Sequence, residues 1–155
     1  MNSLHIAVPN PLFLEDLTVG DEFRSDEHRI DVEQIIAFAR QFDPQPFHLN
    51  DAAARSTLFD GLAASGWHTA AVTMKLLVSS IPFGSGIIGA GGDIAWPRPT
   101  RPKDVLQVIS TITDIRPSKS KPDRGMVTVE CLTLNQRGET CQRLIAKLVV
   151  MRKKN

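Results

Sequence analysis

Residues 63–82 read AASGWHTAAVTMKLLVSSIP. Trp67, Ala70, Ala71, Met74, Leu77, Val78 and Ile81 recur at helical spacing and share one face. The remaining positions include the small or weakly polar Ala63, Ala64, Thr69 and Thr73. A helix that is apolar nearly all round is normally buried by its neighbours. The stretch therefore predicts a central helix that ends before Pro82.

Working outward, a second helix precedes it. Asp31 reads as its N-cap, with Gln34 three positions on as a capping-box partner. Val32, Ile35, Ile36, Ala39 and Phe42 form its apolar face. Pro44 stops it, because a proline disfavours helical backbone at the residue before it. Asp43 is left at the helix exit and His48 in a proline-punctuated loop, with a further short helix over 52–55.

On the other side of the central helix the pattern turns to strands. After glycine-rich 84–92 come a short strand at 93–96 and three runs rich in Val, Ile, Thr and Leu at 105–115, 126–134 and 141–151. A strand over 22–29 precedes the first helix. Strands joined by tight connections form antiparallel meanders. Helices first and strands after them predict an α+β class rather than a doubly wound sheet. The 155 residues fit one domain over 1–155, with an extended arm at 1–12 and a basic tail at 152–155.

Composition narrows the function. Lys plus Arg is 18 and Asp plus Glu 17, a net charge of +1, which argues against a nucleic-acid partner. No apolar run approaches about 18 residues, so no membrane span is expected, and residues 1–11 do not read as a signal peptide. Cys131 and Cys141 lack C-x-x-C spacing and read as reduced thiols in or near strands, consistent with a cytoplasmic chain. Four scattered histidines offer no metal site. Residues 84–89 match G-x-G-x-x-G literally, but a helix precedes them where a dinucleotide fingerprint needs a strand. Ser65 lacks the G-x-S-x-G frame of a nucleophile elbow and reads as an N-cap or pocket-lining serine.

The chemistry centres on Phe42-Asp43-Pro44-Gln45-Pro46-Phe47-His48. Two prolines stiffen the loop, and an Asp and a His on one rigid loop can converge on a single water. This segment resembles the signature of the MaoC-like dehydratases, which include the (R)-specific enoyl-CoA hydratases: a Phe-Ala helix running into Asp-x-Asn-Pro-x-His, then an acidic residue and an Ala-rich turn. Here Phe38-Ala39, Asp43, Pro46, His48 and Asp51-Ala52-Ala53-Ala54 carry the match. The small-residue run Ala63-Ala64-Ser65-Gly66 resembles the family's second block. Gln45 stands in place of the family asparagine, Phe42 in place of a glycine, and Ser65 in place of a histidine.

The resemblance implies a hot-dog fold, an antiparallel sheet wrapped around a long central helix, in a homodimer or higher oligomer. It implies hydration of a 2-enoyl thioester such as an enoyl-CoA, or the reverse, with no cofactor beyond the thioester carrier itself. Asp43 and His48 would be the acid/base pair. Gly66 would give its N–H to the thioester oxygen from a helix start, where free N–H groups favour an anion. Ser65, Trp67, Phe47 and Gln45 are expected to line the substrate pocket, and Arg98, on a proline-stiffened stretch, to meet the charged end of coenzyme A. Two other functions share the fold: an acyl-CoA thioesterase that directs water at the carbonyl carbon, and a non-catalytic acyl-CoA-binding subunit.

Overall fold

A computed structural model describes residues 10–155. Predicted features at residues 1–9, most of the N-terminal arm, lie outside the described residues. Strand β1 (Glu22–Arg29) leads into helix α1 (Val32–Phe42), followed by two single-turn helices, α2 (Pro46–Leu49) and α3 (Asp51–Ala54), and the long helix α4 (Gly66–Ser80). Strands β2 (Ile88–Ala95), β3 (Val105–Pro117), β4 (Arg124–Leu134) and β5 (Thr140–Met151) follow. They form one five-stranded sheet in the order β1-β3-β4-β5-β2, antiparallel throughout. The meander β3-β4-β5 is its middle, and β1 and β2 are its edges.

The fold is the α+β hot-dog arrangement, with α4 as the long helix against the sheet. One side of α4 supplies Val72, Leu76 and Leu77 to the core. They meet alternate residues of the central strands, Val108 and Ile112 on β3, Val127 and Val129 on β4, and Leu148 and Val150 on β5. The strict alternation of buried and half-buried residues along β4 is the period-two pattern of a strand with one face in the core. Helix α1 adds Ile35 and Ala39.

The structure corrects several expectations. The buried side of α4 is His68, Thr69, Val72, Thr73, Leu76 and Leu77. Most of the expected apolar face turns outward: Trp67 is 60% exposed, Val78 60% and Met74 40%. Periodicity found the helix but chose the wrong face, because the true core stripe carries two threonines and a histidine. On α1 likewise Val32 and Phe42 are exposed. Asp31 does cap α1, accepting from Gln34 N at 2.9 Å. The Gln34 side chain does not close a capping box, bonding instead to Arg29 O and His28 Nε2. His48 sits in α2 rather than a loop, because Pro46 at the first helical turn starts a helix as readily as it ends one.

The glycine-rich stretch is itself strand. β2 begins at Ile88 and pairs with β5 through a bulge between Gly89 and Gly91. Gly92 has φ +157°, and a Cβ there would collide with the Ile145 carbonyl oxygen, so only glycine permits this close pairing. The literal G-x-G-x-x-G thus spans a turn and a strand edge. No helix among the described residues is long and apolar enough to cross a membrane.

Candidate active site

The two sequence blocks meet at the N-terminal end of α4. Ala63 N donates to Phe47 O at 3.1 Å, and His48 Nδ1 bonds to Ala63 O at 2.7 Å. A carbonyl can only accept, so Nδ1 carries a hydrogen. In the neutral ring Nε2 is then bare, and it lies 3.3 Å from Asp43 Oδ2. Two acceptors at that distance need a hydrogen between them or a third group donating to both. An imidazolium supplies the first, and a water seated against both atoms supplies the second. His48 is buried and the Asp43 side chain only 16% exposed.

Asp43 is fixed from both sides. Gln45 Nε2 donates to Oδ1 at 2.6 Å, and Ser65 Oγ donates to Oδ2 at 2.7 Å. The same Ser65 Oγ accepts from Trp67 N at 3.3 Å, so one hydroxyl caps α4 and orients the carboxylate. Burial pushes the Asp43 carboxyl up, but the bonds from Gln45 and Ser65, helped by His48, outweigh it and hold the group below its ordinary value. Asp43 is thereby kept as an anion.

Beside this pair lies a cavity of about 390 Å³ that His48, Ala64 and Gly66 share with Phe59, Trp96 and Thr100. Gly66 N makes no hydrogen bond among the described residues. Its glycine identity has a steric cause: a Cβ would stand 2.7 Å from the Trp96 indole, which lies across the helix start. The polar atoms behind the cavity are paired, Thr69 Oγ1 with Thr100 Oγ1 at 3.0 Å and Thr73 Oγ1 with Thr133 Oγ1 at 2.6 Å.

The loop carrying Phe59 is held from below by Arg101. Its guanidinium donates to Phe59 O, and to Gly61 O at 2.9 Å and Leu62 O at 3.3 Å. Asp51 Oδ1 accepts from Leu62 N at 3.0 Å. The acidic residue of the first block thus secures the approach to the second.

Asp43, His48, Gly66, Ser65 and Gln45 therefore converge. Ser65 and Gln45, expected at the substrate, bond to Asp43, and Ser65 is fully buried. Arg98 lines the cavity while paired with Glu139 at 2.9 Å. Phe47 packs on His48 and Phe59 and does not line the cavity, and Trp67 meets Trp96 edge-on at 5.2 Å from the outer face of α4. Sequence reasoning did not name Phe59, Thr100 or Cys141 as cavity walls, and the proline-stiffened stretch that carries Trp96 and Arg98 was read for contact with coenzyme A rather than as a wall. Both thiols are buried and unpaired; burial pushes Cys131 up to about 11 and raises Cys141 as well, so neither is a reactive thiolate.

The chain is 61% identical to a MaoC-like dehydratase from Rhodospirillum rubrum, with a TM-score of 0.92 over 93% of this chain and 99% of that one. It superposes on an (R)-hydratase from A. caviae involved in PHA biosynthesis with a TM-score of 0.71 at 25% identity, covering 90% of this chain and 99% of that one. An uncharacterised Bacillus subtilis protein, YdeM, is 32% identical over 127 residues, 80% of this chain and 88% of its own length. The MaoC-like domain model matches residues 16–134, which contain both blocks of the site and four of the five strands in full; the chain belongs to the MaoC-like domain family.

Proposed function

We propose that the chain hydrates a 2-enoyl thioester, or dehydrates the 3-hydroxy product, at the Asp43–His48 pair. One observation carries this reading: His48 Nε2 and Asp43 Oδ2 lie 3.3 Å apart, beside a cavity that His48 lines together with Gly66 at the start of α4. A water donating to both atoms is held with its oxygen free to attack. Its oxygen bonds to C3 of the enoyl group as the carbon–carbon π pair shifts toward C2 and the carbonyl. One proton passes from the water to the pair, and a proton from the pair is delivered to C2, so the enzyme ends as it began. Asp43, held as an anion, orients and deprotonates the water, and His48 assists the transfer to C2. Negative charge grows on the thioester oxygen, where the Gly66 N–H and the α4 dipole stabilise it. The reaction needs no cofactor.

Similarity to an (R)-hydratase supports the same chemistry. The test is to mix the protein with a 2-enoyl-CoA and follow loss of the conjugated enoyl absorbance alongside free thiol. Loss without thiol release is expected. Thiol release without hydration points to a thioesterase, and binding without either to a carrier subunit.

The working form is a homodimer. β2 is an edge strand exposed along nearly its whole length, and beside it in the chain α4 turns Trp67, Ala71, Met74 and Val78 to solvent. Asp93 is its one charged residue, and a long edge with so little charge is normally covered. The opposite edge, β1, reads Glu-Phe-Arg-Ser-Asp-Glu-His-Arg and is charged, the usual device against pairing. The second copy therefore belongs on the β2 side.

A further inference from the structure

We infer that Trp96 sets acyl-chain selectivity, by walling a cavity sized for a short acyl group. The inference rests on reading the cavity beside Asp43 and His48 as the acyl pocket. Trp96 follows β2 and is held on three sides. Its ring lies flat enough on Gly66 to exclude a Cβ there. Its Nε1 donates to Gln142 Oε1 at 2.9 Å. Its edge meets Trp67 at 5.2 Å with the planes at 82°.

The Gln142 anchor is itself rigid. Gln142 is fully buried, and its Nε2 donates to Thr73 Oγ1 at 3.1 Å, which joins Thr133 on β4. A chain of buried polar bonds thus runs from the sheet through α4 to the indole. Such a network, fully satisfied, fixes one arrangement. It explains why polar residues occupy the core stripe of α4, where sequence periodicity favoured the other face. The indole cannot swing aside for a longer chain without stripping Gln142 Oε1 of its donor in a buried setting.

The inner part of the wall is fixed as well, while Leu58 and Arg98 line the side toward solvent. Thr69 and Thr100 are buried and bonded to each other, and Cys141 is buried beside them. The volume of 390 Å³ is near the low end of ligand pockets, roughly 300–1,000 Å³.

The experiment measures selectivity rather than activity alone. Saturated acyl-CoAs of four to twelve carbons are titrated by calorimetry into the wild-type protein, Trp96→Ala and Trp96→Leu, and 2-enoyl-CoAs of the same lengths are assayed for hydration. Wild type is expected to bind and hydrate the shorter chains best and to lose at least tenfold toward the longest. Both variants should raise the long-to-short ratio at least tenfold, and Trp96→Phe, which loses the anchoring N–H but keeps a ring, should raise it by less. Should Trp96→Ala fail to fold, Trp96→Leu decides. An unchanged ratio in a folded variant overturns the inference, as does wild-type protein that prefers the longest chains. If nothing is hydrated but binding shows the Trp96-dependent cutoff, the hydratase reading fails and this one stands. If no acyl-CoA of any length binds, both fail.

Discussion

The two ends of one helix surface behave differently. At its N-terminus α4 is tied into a closed set of polar bonds: Ser65 to Asp43, Gln45 to Asp43, and His48 to Ala63. Along its outward face it carries Trp67, Met74 and Val78, exposed and apolar. The first region holds every catalytic group proposed here within a single copy. The second has apolar surface in excess of what its own chain covers. The same helix thus fixes the chemistry at its tip and offers its flank to a partner.

The contrast can be broken most forcefully at the tip. Asp43→Asn keeps the shape but removes the base, and kcat should fall roughly 10²–10⁴-fold, with the thermal midpoint little changed. Steady-state hydration kinetics and a melting curve check it. At the flank, Met74→Lys combined with Val78→Lys should shift the protein from dimer to monomer in sedimentation velocity, while circular dichroism stays native. An unchanged dimer would place the partner elsewhere.

Two smaller effects sharpen the account of the tip. Ser65→Ala removes both the cap of α4 and a bond to Asp43, so stability should drop by about 1 kcal/mol. Its larger signature is in pH. Because the Asp43 carboxyl is held below its ordinary value, ionised Asp43 favours the folded state at neutral pH, a contribution lost as pH falls through its folded pKa. Losing the Ser65 bond raises that pKa, so the acid limb of the rate profile should move to higher pH. Gln45→Leu should move the limb in the same direction by at least as much, since it removes the other side-chain bond that holds the carboxyl down. A limb that stays in place in both variants would mean that Asp43 is not the group titrating there.

Much of this was legible in the sequence. The prolines at 44 and 46 mark the helix stop and the stiff turn, and the strands at 105–115, 126–134 and 141–151 fall within the observed β3, β4 and β5. Asp43 and His48 were marked by their spacing on a proline-stiffened loop and, with Gly66, by the resemblance to the family, and the three do converge. Which face of α4 is buried was not legible, because a stripe of Thr69, Thr73 and His68 reads as polar until Thr100, Thr133 and Gln142 are brought to meet it from 31 or more residues away. The dual role of Ser65 was hidden for the same reason: the bond to Asp43 spans 22 residues. Glycines concealed β2, since they lower strand propensity even where close pairing requires them.

The most direct test of the Asp43–His48 site is hydration in oxygen-18-labelled water, read by mass spectrometry of the product. One labelled oxygen should appear as the 3-hydroxyl of an intact thioester with wild-type protein, and essentially none with Asp43→Asn at equal times. Label in the carboxylate of a free acid, or equal incorporation by Asp43→Asn, would contradict the account.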